Sequence, residues 1–144
     1  MTYRTLKPET FPPSLLASEL KQNFPEILFA FLFGSAQDGE IREGADIDLA
    51  VWVEDDTKRA LLIPRIIGVV ETVTQGVSCD LTLLNTAGVQ LAFEALTGRE
   101  LFIRNEAMDQ YAAWYSLTCR EYEDAIAWMK KQLIYRGYEV QWDH

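Results

Sequence analysis

The sequence predicts an α/β (α+β) fold, a small β-sheet carrying packed helices, and three observations predict it. Apolar runs of strand length recur along the chain, each bounded by proline, glycine or acidic residues. Between them lie segments of helical length with capping residues at their starts or glycine at their ends. No internal repeat, low-complexity stretch or interdomain linker interrupts the 144 residues, 49% of them apolar, so one domain with a real core is expected over residues 1–144.

Pro8, Pro12 and Pro13 precede SLLASELKQNF, in which Leu15, Leu16 and Leu20 fit one face of a short helix that Pro25 ends. The continuous apolar run Ile27 to Phe33 then reads as a buried central strand stopped by Gly34. Residues 35–45 are small, polar and turn-forming at Gly39 and Gly44, and a second strand resumes at Asp46 and runs to Val53. A helix is expected from about Asp56 to Val73, kinked near Pro64 and closed by Gly76. A third strand follows from Val77 to Leu84, a helix from about Thr86 to Thr97 with Gly98 after it, and a short strand from Glu100 to Ile103. Asn105 is placed to cap a long C-terminal helix reaching Gln132 or beyond, with Gly137 as its stop. The core thus spans about 24–103 and a helical extension about 105–144; the strand order is left open.

A net charge of −9 repels a phosphate backbone, which argues against direct nucleic-acid binding and requires a cation for any polyanionic ligand. His144, at the very end, is the only histidine, so histidine-based nucleophilic catalysis and zinc sites lose their usual partner and acid–base work falls to carboxylates. Cys79 and Cys119 have no metal or disulfide spacing and suit a reducing compartment. The N-terminus lacks a signal-peptide pattern and no apolar run approaches the ~20 residues that span a bilayer, so a soluble cytoplasmic protein with no membrane contact is expected.

Asp46 and Asp48 stand two residues apart, so on a strand both side chains leave one face, their Cα atoms ~6.5–7 Å apart, within reach of one cation. Ile47, Leu49 and Val51 point the other way. Such a pair alone equally suits a strand whose polar face meets water. Gly34-Ser35, at the end of the preceding strand, offers a close backbone approach and a hydroxyl to a phosphate, though alone it is also an ordinary turn. Asp80 lies in an apolar, β-rich segment, where a charge is costly unless paired or bound to metal; at a sheet edge it can instead face solvent. Three carboxylates gathered at one place repel, and they either bind protons abnormally or hold a divalent ion such as Mg²⁺.

Gly34-Ser35, ten intervening residues, then Asp46-Ile47-Asp48-Leu49-Ala50-Val51 resembles the GSx10DxD signature of the polymerase-β-type nucleotidyltransferase superfamily, in its minimal (MNT) branch. Asp80, in Cys79-Asp80-Leu81, is similar to that family's third carboxylate, and the likeness covers roughly Phe24 to Ile103. The resemblance implies a small mixed sheet with helices and an active site for ATP with Mg²⁺. It implies that Asp46, Asp48 and Asp80 ligate metal, that Gly34 and Ser35 hold the triphosphate, and that Asp80 also helps deprotonate the attacking hydroxyl. Gln37, Asp38 and Ala45 depart from the family pattern, where small, phosphate-compatible or serine residues are common.

A short chain of this kind resembles the MntA-like antitoxins of HEPN–MNT toxin–antitoxin pairs, which implies AMP transfer to a tyrosine of a HEPN toxin within a hetero-oligomer. A small-molecule (aminoglycoside-like) nucleotidyltransferase and a non-catalytic toxin-neutralising subunit are the alternatives. In the last helix Met108, Tyr111, Ala112, Tyr115, Cys119, Tyr122, Ile126, Met129 and Leu133 form an apolar stripe with Trp114 and Trp128 off it, so the helix can pack on its own domain and on a partner. Simple packing of one face on the core accounts for the same pattern.

Overall fold

The computed structural model describes residues 9–55 and 57–137. The expected helix start at Asp56 lies outside them.

Helix α1, Pro13–Asn23, begins with Pro13 in its first turn, where a missing N–H costs nothing, and ends where the Phe24 N–H bonds the Leu20 carbonyl just before Pro25. Leu16 and Leu20, one turn apart, are buried; Leu15 is not, because it sits 100° round the helix and is 45% exposed. Strand β1, Ile27–Phe33, is buried at every position. It is flanked on both edges, pairing antiparallel with β2, Ile47–Val53, and with β4, Arg99–Ile103. β2 pairs in parallel with β3, Cys79–Leu83, giving the order β3-β2-β1-β4 among the described residues.

Both sheet faces are covered. On one, Ile27, Leu32, Ile47, Leu49, Val51 and Val53 pack with Leu16 and Leu20 of α1 and with Leu62, Ile66 and Val70 of α2, Arg59–Val73. On the other, Phe29, Phe31 and Phe33 meet α3, Val89–Leu96, and α4, Met108–Tyr135. A register shift between Ile27 and Phe29 places Leu28 and Phe29 on this same face, which strict alternation forbids.

Helix α2 accommodates Pro64 inside it. Its C-terminus is a Schellman closure: the Gly76 N–H bonds the Glu71 carbonyl at 2.7 Å and Gln75 takes the left-handed conformation at φ 58°. The expected stop at Gly76 therefore lies one residue beyond the left-handed C′ position, which a glutamine fills. Asn105 opens a 3₁₀ turn, Asn105–Ala107, and makes no side-chain cap, contrary to expectation.

The buried side of α4 also differs from the expected stripe. Trp114 and Thr118 are buried, whereas Met108, Ala112 and Tyr115 are exposed. The aromatic rings of β1 decide this: Trp114 lies 5.4 Å from Phe29 and 5.7 Å from Phe31, with Tyr111 at 5.4 and 6.2 Å. Large ring contacts outweigh the helix's own periodicity.

Candidate active site

β1 ends at Phe33, and Gly34 turns the chain into a short 3₁₀ segment, Gly34–Ala36, at φ +71°. The left-handed φ favours a glycine here, and a Cβ on Gly34 would overlap Oδ2 of Asp48 unless that side chain moved away. Ala36 is buried and anchors the turn, while Ser35 is exposed. Past it the Gly39 N–H bonds the Ala36 carbonyl at 3.0 Å and the Gly39 carbonyl accepts from Phe11 N–H at 2.9 Å, fixing the loop to the segment before α1. Arg42 reaches back to the Ser35 carbonyl and pairs with Asp38 and Glu40.

Asp46 is exposed, one residue ahead of β2, so the strand starts at Ile47 instead of at Asp46. Asp48 is half-buried and stands in register with Phe33 of β1 on one side and Asp80 of β3 on the other. Register partners on neighbouring strands leave the sheet on the same side, so Phe33, Asp48 and Asp80 form one row. The row ends beside Gly34. Asp80 is exposed because β3 is the edge strand, so its charge meets water and is not the costly buried group its apolar neighbours suggest.

The electrostatics follow from this crowding. Asp48 is pushed above the ordinary carboxylate range, chiefly by loss of water and then by the charges of Asp80, Asp46 and Glu94. Glu94 on α3 is a neighbour that sequence reasoning missed; it belongs to no motif, and only the packing of Ala92 and Ala95 against the sheet carries it there. Cys79, adjacent to Asp80 and half-buried, is pushed up to about 12, first by burial and then by Asp80, Asp48, Glu71 and Asp46.

Among the described residues no group of three His, Cys, Asp or Glu side chains stands ready-made to hold a metal. Asp48, Asp80 and Asp46 are hard oxygen donors, the chemical type that Mg²⁺ takes, commonly as one or two carboxylates with water and phosphate completing its shell, but they do not stand gathered as a ligand set. The raised Asp48 marks a place where a cation would relieve repulsion. A groove of about 730 Å³ between α1 and α2, lined by Leu15, Glu19 and Arg65 among others, lies on the opposite sheet face and contains none of these acids.

Residues 16–107 match the model of the polymerase beta nucleotidyltransferase family, which is well over half of the chain. The chain belongs to that family. The matched span holds the Gly34 corner, Asp46, Asp48 and Asp80, and it ends where α4 begins. A sequence comparison with curated proteins finds no match.

Solved structures similar to this nucleotidyltransferase include a double aspartate-to-glutamate mutant of the MntA–HpeT toxin–antitoxin. It is 19% identical, with a TM-score of 0.66, and the match covers 85% of this chain and 95% of that one. A toxin–antitoxin with AMP-PNP is 20% identical with a TM-score of 0.63, covering 85% and 94%. A tri-AMPylated Shewanella oneidensis HEPN toxin in complex with MNT antitoxin matches at 20% identity and a TM-score of 0.59, covering 85% and 96%. At these identities the likeness is one of fold: a mixed four-stranded sheet with four α-helices, the last of them long, among the described residues. No helix among the described residues is long and apolar enough to cross a membrane.

Proposed function

We propose that the chain is a Mg²⁺-dependent protein adenylyltransferase, the antitoxin of a HEPN–MNT pair, which moves AMP from ATP to a tyrosine hydroxyl of its partner toxin. The observation that carries this reading is the row in which Asp48 stands between Phe33 and Asp80, with Gly34 closed against its carboxylate. Family membership supports nucleotidyl transfer. The AMP-PNP and the tri-AMPylated HEPN toxin named for two structures of the same fold support ATP as donor and a HEPN protein as acceptor.

On this reading Gly34 and Ser35 hold the triphosphate, and Asp46, Asp48 and Asp80 hold Mg²⁺. The bound ion supplies charge stabilisation to the attacking and leaving oxygens. Asp80, exposed at the sheet edge, accepts the tyrosine proton as the phenolic oxygen attacks the α-phosphorus. A new P–O bond to tyrosine forms, the bond to the β-phosphate bridge breaks, and pyrophosphate leaves. Leu117, Trp128 and Tyr135 of α4, exposed by 47, 65 and 91%, offer the partner an apolar surface outside the matched family region. Two free thiols suit the cytoplasm, where we place the protein.

The test is incubation of the purified chain with ATP, Mg²⁺ and the protein encoded beside it. AMP is expected on a tyrosine of that neighbour by mass spectrometry, and not with the Asp46→Asn/Asp48→Asn double variant. A double variant that neutralises the neighbour with undiminished potency would show contact, not catalysis, to be the mechanism. AMP found only on added aminoglycosides would move the acceptor to small cationic molecules.

A further inference from the structure

The corner that is to admit a triphosphate sits in an acidic stretch. Asp38, Glu40, Glu43, Asp46 and Asp48 all follow Gly34 within fifteen positions, and Arg42 is the only Lys or Arg between Lys21 and Lys58. A ligand carrying several negative charges is repelled by each of those carboxylates.

Arg42 is committed to this stretch by three contacts. One guanidinium nitrogen, Nη1, donates to the Ser35 carbonyl, next to the glycine that abuts Asp48. The other, Nη2, donates to Oδ2 of Asp38 at 3.1 Å and to Oε2 of Glu40 at 3.2 Å. Asp38 also accepts the Glu40 backbone N–H at 3.0 Å, and that bond, with the guanidinium, holds its carboxyl below the usual range. Asp38 is thus a bound, paired anion and not a free one facing the corner.

We propose that Arg42 is a positioning residue for the nucleotide phosphates: held beside the Ser35 turn, its single positive charge offsets one of the two negative charges of Asp38 and Glu40, so that ATP approaches a corner with less repulsion. The inference rests on the nucleotidyltransferase reading and deepens it. Arg42 works through its neighbours, so its signature is electrostatic: dependent on ligand charge, on salt and on the presence of the two acids.

The experiment is titration of Mg²⁺ with ATP, and separately with AMP, into the full chain by calorimetry. It compares the wild type, Arg42→Ala, Arg42→Lys, and a triple variant, Asp38→Asn/Glu40→Gln/Arg42→Ala. Arg42→Ala is expected to weaken ATP about three- to ten-fold at low salt, AMP less, with the difference shrinking as salt rises. Arg42→Lys, which keeps the charge, retains most of the affinity, and the triple variant recovers it. Equal ATP affinity in wild type and Arg42→Ala overturns the inference, as does a triple variant that stays weak, which would make Arg42 a purely mechanical tie. A wild type that binds no ATP overturns the reading of the site itself, and this inference with it.

Discussion

Gly34 and Asp48 are in such close apposition that the missing Cβ of the first is the space occupied by the carboxylate of the second. The glycine is also in the left-handed region, at φ +71°. Two independent constraints, conformational and steric, thus fall on one residue. Gly34→Ala is expected to lower stability by about 1–3 kcal/mol in thermal or urea unfolding and to displace Asp48. Because a small misplacement at a reacting centre is costly, nucleotidyl transfer should fall about 100-fold, well beyond what the lost stability accounts for.

Asp48 is expected to make the metal-free chain less stable at neutral pH. Its folded-state value is raised, so the native state holds this proton more tightly than the unfolded chain does, and ionising it costs folding free energy. That cost is fully present above the raised value and fades as pH falls towards the ordinary 3.8. Asp48→Asn should therefore melt higher than wild type at pH 7 without divalent ions, and the gap should close in acid. If the variant melts lower at pH 7 in a metal chelator, the crowding of acids described here is wrong.

Cys79 should be inert in the folded protein. Its thiol, pushed up to about 12 first by burial and then by Asp80 and Asp48, carries almost no thiolate at pH 8. Iodoacetamide at that pH should leave Cys79 unmodified in native protein and label it once urea has unfolded the chain, as read by peptide mass spectrometry. Rapid native labelling would contradict the placement of Cys79.

Arg104 is a structural cation. Its Nε donates to the Ile27 carbonyl at 2.7 Å, its Nη2 to the carbonyls of Lys21 and Phe24 at 2.7 and 3.0 Å, and its guanidinium lies over the Phe102 ring. It joins the end of α1 to the start of β1 and the end of β4. Arg104→Ala should cost about 2–3 kcal/mol in equilibrium unfolding, through lost charge-assisted bonds and carbonyls left without a partner. A change below a few tenths of a kcal/mol would mean water replaces it fully.

The parts of this molecule legible in the sequence are those set by neighbours along the chain. β1 stands between Pro25 and Gly34 with seven apolar residues, a length and a pair of breakers that favour a buried strand over a helix. Gly34, Asp46 and Asp48 were within reach because turn chemistry and strand alternation act locally. Asp80 was legible as a residue, with a buried and a solvent-facing placement both left open, since only the order β3-β2-β1-β4 decides that it stands at an edge. The buried face of α4 was misassigned because Phe29 and Phe31, some eighty positions earlier, select Trp114. Gln75 in a conformation that favours glycine, and Arg42 bonding a carbonyl seven residues back, leave no periodic trace at all.

Among the described residues β3 has a neighbour on one flank only. The acid row is therefore walled by backbone towards β1 and approachable sideways past Asp80. For the protein acceptor proposed above, this open flank would be the side from which its tyrosine reaches the acids, since the other flank is closed by strands.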